Sequence, residues 1–295
     1  MRAFDYAAPT SLKEAIALLQ NKRQRARVLS GGTDLIVQVR ERRRELDLMV
    51  DVKRIPQLLK IDYDSATELT LGASVPCCRI YEDLAVSRAY PGLVDAAFLI
   101  GGIQIQNRAS LGGNVCNASP AADSTPALIA HRAICVIAGP QGERRLPVEQ
   151  FCTAPGRNTL QPGELLVSFR IPAPPPRFGA NYIRFIPRNE MDIAVVGCGV
   201  ALSLEEDLRT IASARVALGA VAPTPLLVEE AAAELIGRQL TPEVLEKAAT
   251  AAQVAARPIT DMRGTTEYRR HLIGVLVRRA LRKSVDRAKE ASHVN

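Results

Sequence analysis

Two pairs of adjacent glycines stand in stretches that could hold an anion. In Ser30-Gly31-Gly32-Thr33-Asp34 the pair follows Arg27-Val28-Leu29-Ser30, which reads as a short strand. Backbone N–H groups can converge there on a phosphate with no Cβ in the way, and Thr33 adds a hydroxyl donor. The second pair lies in Ala109-Ser110-Leu111-Gly112-Gly113-Asn114, followed by small polar residues that include Asn117, Ser119 and Asp123. Such side chains can donate to a pyrophosphate and accept from sugar hydroxyls. Neither stretch is a Gly-x-Gly-x-x-Gly fingerprint or a Walker loop with its lysine. Glycine is also a default turn residue, so each pair alone reads more simply as a turn or a polar surface loop. The two together suggest a diphosphate ligand.

The surrounding elements place these loops. Ser11-Leu12-Lys13-Glu14 has the form of a capping box and opens an amphipathic helix through Leu19. Leu48-Met49-Val50-Asp51-Val52 reads as a buried strand, so the first sixty residues alternate strand and helix as a small α/β lobe. Leu59, Ile61 and Tyr63 then alternate with polar residues, and a second strand follows at 68–73. Helices are expected at 93–100 and 126–133, and strands at 134–137 and 165–171. The proline-rich residues 172–176 read as a linker and the main domain boundary. Beyond it come apolar strands at 194–204 and 214–220, then helices near 228–237, 242–255 and 266–288. Arg279, Lys283 and Arg287 recur along the last helix as a charged ridge.

Composition narrows the class. The 295 residues carry a net charge of +7 with 47% hydrophobic content, as an ordinary globular chain does. At this length two or three domains are expected. The surplus is local, since residues 257–289 hold ten basic residues against three acids while the remainder balances. Arginine far exceeds lysine and accompanies Ala-rich stretches, as a GC-rich coding bias would produce. With few aromatics and no helix-turn-helix or zinc-finger spacing, nucleic-acid binding is not expected. Apolar runs of about ten residues or fewer fall short of the roughly 20 that cross a bilayer, and the N-terminus lacks an apolar signal core. A cytoplasmic protein without a membrane span is therefore expected. Six cysteines without Cys-x-x-Cys spacing and three scattered histidines, His131, His271 and His293, argue for free thiols and against a metal site. The Cys77-Cys78 pair reads as inert packing in or near a strand.

Three motifs carry a resemblance. Val28-Leu29-Ser30-Gly31-Gly32-Thr33-Asp34-Leu35, then Gln104-Ile105-Gln106-Asn107-Arg108-Ala109-Ser110-Leu111-Gly112-Gly113-Asn114, then Arg188-Asn189-Glu190-Met191-Asp192-Ile193-Ala194 resemble the FAD-binding medium subunit of the molybdenum hydroxylases. That family includes xanthine dehydrogenase, carbon monoxide dehydrogenase and aldehyde oxidoreductases. The likeness covers nearly the whole chain, including residues 257–264. It implies an α+β protein. A two-lobed FAD-binding domain of the vanillyl-alcohol-oxidase type, with lobes at 1–57 and 58–176, would precede a smaller α+β C-terminal domain at 177–295.

The resemblance also implies FAD as the cofactor, with both Gly-Gly loops gripping its diphosphate. Leu29, Ser30, Gly31, Gly32, Thr33, Asp34 and Leu35 would supply one side, and Ala109, Ser110, Leu111, Gly112 and Gly113 the other. Asn114, Asn117 and Asp123 would lie nearer the sugar and ribityl portions, and Leu166 near the isoalloxazine ring. Arg184 falls where relatives place a basic residue close to the flavin, and a cation there would raise its affinity for electrons. Two departures are visible: Ser30 replaces a more usual Ala, and Arg184 a Lys of some relatives. The spacing of Cys116, Cys135 and Cys152 gives no sign of the cysteine-bearing insertion that holds an extra iron–sulfur cluster in hydroxybenzoyl-CoA reductases.

The expected function is an FAD-dependent oxidoreductase subunit. It would pass electrons from a two-iron two-sulfur small subunit, in a complex with a molybdopterin-binding large subunit, to an acceptor. The assembly implied is a dimer of heterotrimers. Neither substrate nor acceptor is encoded in these motifs. Two rivals are a free-standing flavin oxidase or reductase of the same fold, and a basic interaction module that uses residues 257–289 to bind nucleic acid or an acidic partner.

Overall fold

The computed structural model describes residues 2–21, 25–188 and 191–291. Asn189, Glu190 and His293, named above, lie outside them. The first sheet joins β1 (Asp5–Ala7), β2 (Ala26–Leu29) and β3 (Leu48–Asp51), all parallel, with β3 in the middle. Alternate residues of β3 face opposite sides. Val50 packs with Ala15 of α1 (Leu12–Gln20), and Met49 with Val39 of α2 (Leu35–Arg40). Covering both faces is what makes Leu48-Met49-Val50 a continuous apolar run. Ser11 caps α1, its Oγ accepting from the Glu14 N–H at 3.3 Å. The Glu14 carboxylate accepts from the Thr10 N–H rather than from Ser11, so the expected box closes one residue early.

The second sheet is antiparallel. Its strands are β4 (Ile61–Asp64), β5 (Glu68–Gly72), β6 (Ile134–Gly139), β7 (Gly142–Pro147) and, after a two-stranded ribbon of β8 (Cys152–Ala154) and β9 (Arg157–Asn158), β10 (Leu165–Pro172). The order is β4-β5-β10-β6-β7. Between β5 and β6 the chain makes six helices: α3 (Cys77–Glu82), α4 (Leu84–Ala89), α5 (Pro91–Leu99), α6 (Ile103–Gln106), α7 (Leu111–Asn117) and α8 (Ser124–Ala130). Ile80, Leu93, Leu111 and Leu128 of these helices form one core with Leu69, Leu71, Phe169 and Ile171 of the sheet. On the other side of β10, Leu165 and Val167 join Val50 and Leu58, so this strand ties the first two sheets together.

The third sheet runs in chain order through β11 (Phe178–Phe185), β12 (Val196–Leu204), β13 (Ile211–Gly219) and β14 (Leu226–Leu227). One face packs on the helices that follow, α9 (Glu229–Ala233), α10 (Pro242–Ala255) and α11 (Thr266–Ala291), through Val200, Leu202 and Val216 against Leu245, Ile273 and Leu276. The other face brings Ala180, Tyr182 and Ala201 to Ala96, Ala127 and Ala130 of α5 and α8. With both faces covered, every residue of β12 is buried. The α+β architecture expected from the sequence is the one observed.

Four local readings change. Cys77 and Cys78 open helix α3 instead of sitting in a strand; burial pushes the Cys77 thiol up to about 12, so it is inert. Pro172 is the last residue of β10, opposite Glu68 and beyond the last β6 partner, where its missing N–H costs nothing. The stretch around Gly112-Gly113, read as a loop, is the short helix α7. The ridge on α11 is not uniformly exposed. Arg287 turns inward, donating to both carboxylate oxygens of Asp95 at 2.6 and 2.9 Å and to the Ala180 carbonyl at 2.7 Å.

His131 is buried between the rings of Tyr90 and Phe178, and burial pulls it down to about 4, so it is neutral. Arg269 of α11 is also buried. It donates to the Val195 and Ala220 carbonyls and pairs with Asp261 at 2.7 Å, which ties residues 257–264 to the third sheet. No helix among the described residues is long and apolar enough to cross a membrane.

Candidate functional site

A cavity of about 720 Å3 opens between the β2–α2 loop and the start of α7. It lies inside the range of roughly 300–1,000 Å3 typical of small-molecule and cofactor sites. Ser30, Gly31, Gly32, Thr33, Asp34 and Leu35 line it from one side, and Ala109, Ser110, Gly112, Gly113, Asn114 and Asn117 from the other. Leu165 and Leu166 also line it. Of the expected site residues, Leu29 and Leu111 do not reach it; both are buried in the cores behind the loops. Asp123 and Arg184 also lie outside the lining, in a pair of their own.

The two loops are bound to each other directly. Ser30 Oγ and Ser110 Oγ are 2.8 Å apart, and Gln38 Nε2 donates to Asn117 Oδ1 at 3.0 Å. Gly31 lies so close to the second loop that a Cβ would stand 2.1 Å from the Arg108 carbonyl oxygen. A Cβ on Gly112 would stand 2.3 Å from the Ala73 carbonyl oxygen. These glycines therefore serve close approach of backbone to backbone, a different use from the access to phosphate read from the sequence. Gly32 supplies a φ of +77°, which turns the chain into α2. Ser110 caps α7 by accepting from the Gly113 N–H at 3.1 Å. Leu111 and Val115, both buried, hold this helix against the core despite its two glycines.

The donor chemistry fits an anionic diphosphate. The backbone N–H groups of Gly31, Gly32 and Thr33, all half-buried residues, find no acceptor among the described residues, and donors taken from water need one. Consecutive free N–H groups of this kind form a concave site for an anion. Arg25, Arg27 and Arg44 line the same cavity. Arg25 pairs with Asp47 at 3.0 Å and with Glu45. Arg27 is held below its ordinary value by desolvation first and then by the charges of Arg44 and Arg25, so a negative ligand there would favour its charged form. These arginines were not singled out from the sequence. Their signal was the Arg25-x-Arg27 spacing just before the first glycine loop.

Behind the cleft, Asp123 and Arg184 form a buried pair at 2.6 Å, and the Tyr182 hydroxyl donates to the other carboxylate oxygen at 2.8 Å. Burial pushes Asp123 up to about 6, while Arg184 and Tyr182 hold it down. Among the described residues the Arg184 Nε is buried without a partner. The neighbouring Ser124 connects this pair to the cleft, since Asn114 Oδ1 accepts from its N–H at 3.1 Å and from its hydroxyl at 2.6 Å.

Residues 2–174 match the model of the FAD binding domain in molybdopterin dehydrogenase, and residues 181–284 that of the CO dehydrogenase flavoprotein C-terminal domain. The chain belongs to the FAD-binding subunits of the molybdenum hydroxylases. Its cofactor is FAD, and it is an FAD-dependent oxidoreductase subunit of that family. It is 30% identical to the xanthine dehydrogenase FAD-binding subunit of Escherichia coli O157:H7, over 96% of this chain and 97% of that one. It is 33% identical to the carbon monoxide dehydrogenase medium chain of Hydrogenophaga pseudoflava, over 94% and 96%. A solved carbon monoxide dehydrogenase from the same organism superposes with a TM-score of 0.91 at 33% identity, covering 97% of this chain and 98% of that one. Quinoline 2-oxidoreductase from Pseudomonas putida 86 superposes with a TM-score of 0.89 at 27% identity, covering 99% of both. The expectation raised by the three sequence motifs is thereby met.

Proposed function

We propose that this chain is the electron outlet of a three-part molybdenum enzyme. One partner would carry two-iron two-sulfur clusters and another the molybdopterin at which substrate is oxidised. Support comes from the relatives, which are named as FAD-binding or medium subunits and match this chain end to end. The single observation that carries the reading is the cleft with its free backbone donors between the two bound glycine loops. FAD bound there would supply the chemistry of two-electron storage and release.

The chain's own residues bind and orient. In this reading residues 30–34 and 110–113 hold the diphosphate, and Asn114 and Asn117 face the sugar and ribityl hydroxyls. Leu166 would lie near the ring. Asp123 and Arg184 act from behind as positioning residues, through Ser124 and Asn114. Residues 1–57 and 58–176 form the two lobes and 177–295 the C-terminal domain, in keeping with the spans of the three sheets. The six cysteines are free, which suits a reducing cytoplasm.

The test uses the co-expressed complex, reduced with dithionite and freed of excess reductant. Acceptors are then added separately: oxygen, a quinone or NAD. The iron–sulfur absorbance should recover rapidly with at least one acceptor in the wild type, and much more slowly in a complex stripped of FAD. Equal recovery would show that electrons leave by another route. A chain that purifies with FAD but without partners, and turns over alone, would favour the free-standing oxidase.

A further inference from the structure

A second groove, of about 480 Å3, lies on the far side of α5, between that helix, β11 and α11. Val94, Phe98 and Leu99 form one wall, Ile183 its end, and Arg279 and Lys283 the opposite rim. Phe98 is 61% exposed, an unusual position for an aromatic ring on a soluble surface. Arg279 and Lys283 are exposed and have no acidic partner among the described residues. The one carboxylate among the described residues lining the groove, Asp95, is already neutralised. It accepts from Arg287, from Asn181 Nδ2 at 2.6 Å and from the Tyr182 N–H at 3.1 Å. The groove thus presents two free cations over an apolar floor.

We infer that this groove docks an acidic segment of a partner subunit, one that carries an apolar side chain for the Phe98 wall. The inference rests on the proposed multi-subunit function. Charge complementarity selects the occupant, because opposite potentials steer encounter and like charges are rejected. Two cations and one ring are a short track for nucleic acid, which needs a row of basic groups and several stacking faces. Tyr182 joins the groove to the pair behind the flavin cleft, since it is among the residues at the groove and its hydroxyl bonds Asp123. A partner seated here would lie one residue layer from that pair.

The experiment compares the co-expressed complex of the wild type with that of the double variant Arg279→Glu, Lys283→Glu. The expected result is that FAD content stays at the wild-type level while affinity for the partner subunits falls roughly a hundredfold, as like charges meet across the interface. Phe98→Ala should weaken the complex without changing its salt dependence. A complex that withstands the double substitution at low salt overturns the inference and leaves the proposed function standing. A wild type that binds FAD but assembles with no partner overturns both. If the double variant instead loses self-association of this chain, or binding to a labelled single-stranded oligonucleotide, the groove serves that occupant and the inference fails.

Discussion

Gly31→Ala is expected to lower the FAD content of the chain. The new methyl carbon would stand 2.1 Å from the Arg108 carbonyl oxygen and 2.6 Å from its carbon, both backbone atoms that cannot swing aside. The two loops must separate, which breaks the Ser30–Ser110 contact and displaces the free N–H groups that face the cleft. Overpacking of this kind costs about 1–3 kcal/mol, and charged against ligand affinity it corresponds to a loss of roughly tenfold to a hundredfold. Flavin released on denaturation, measured per chain, reports the outcome. The core of the third sheet lies elsewhere, so that part of the fold should survive, while Ala109 and Leu111 join this loop to the core of the second sheet. Wild-type flavin content in a correctly folded Gly31→Ala protein would show that the loops need not touch.

Asp123→Ala has the largest expected effect on stability. It leaves the Arg184 guanidinium, with 4% of its side chain exposed, without its counter-ion, and takes the acceptor from the buried Tyr182 hydroxyl. Breaking one side of a buried pair costs about 3–5 kcal/mol, because the remaining charge stays in a poorly solvating place. Replacing both partners with apolar residues, Asp123→Leu with Arg184→Met, should recover most of that loss, as no buried charge remains. Urea unfolding of the two variants measures the difference. A cost below about 1 kcal/mol for the single variant would mean that water reaches Arg184 after all. Any change in flavin potential in the double variant, with stability restored, would report on the cation behind the cleft separately from folding.

Local chemistry made much of this legible in the sequence. Ser11 and Thr241 cap the helices expected of them, with Pro242 in the first turn of α10. The apolar run of β3 announced a strand covered on both faces. The two glycine loops, some eighty residues apart, were marked as one site by a resemblance and are joined by the Ser30–Ser110 contact. Other features depend on tertiary contacts that no local pattern encodes. Helix α7 contains Gly112 and Gly113, poor helix formers, and exists because Leu111 and Val115 are buried and Ser110 caps it. Arg287 shares its spacing with Arg279 and Lys283, yet only the position of Asp95 on another helix decides that it turns inward. The same holds for Asp123, which reads as one more polar residue in a polar tract until β11 brings Arg184 and Tyr182 to it.

The cleft between the glycine loops is the centre of the account, and electron density for the flavin in a crystal of the purified wild-type chain tests it most directly. The prediction is one FAD per chain, its diphosphate within hydrogen-bond reach of the Gly31, Gly32 and Thr33 N–H groups and its ring beside Leu166. A flavin bound anywhere else on the chain would contradict it.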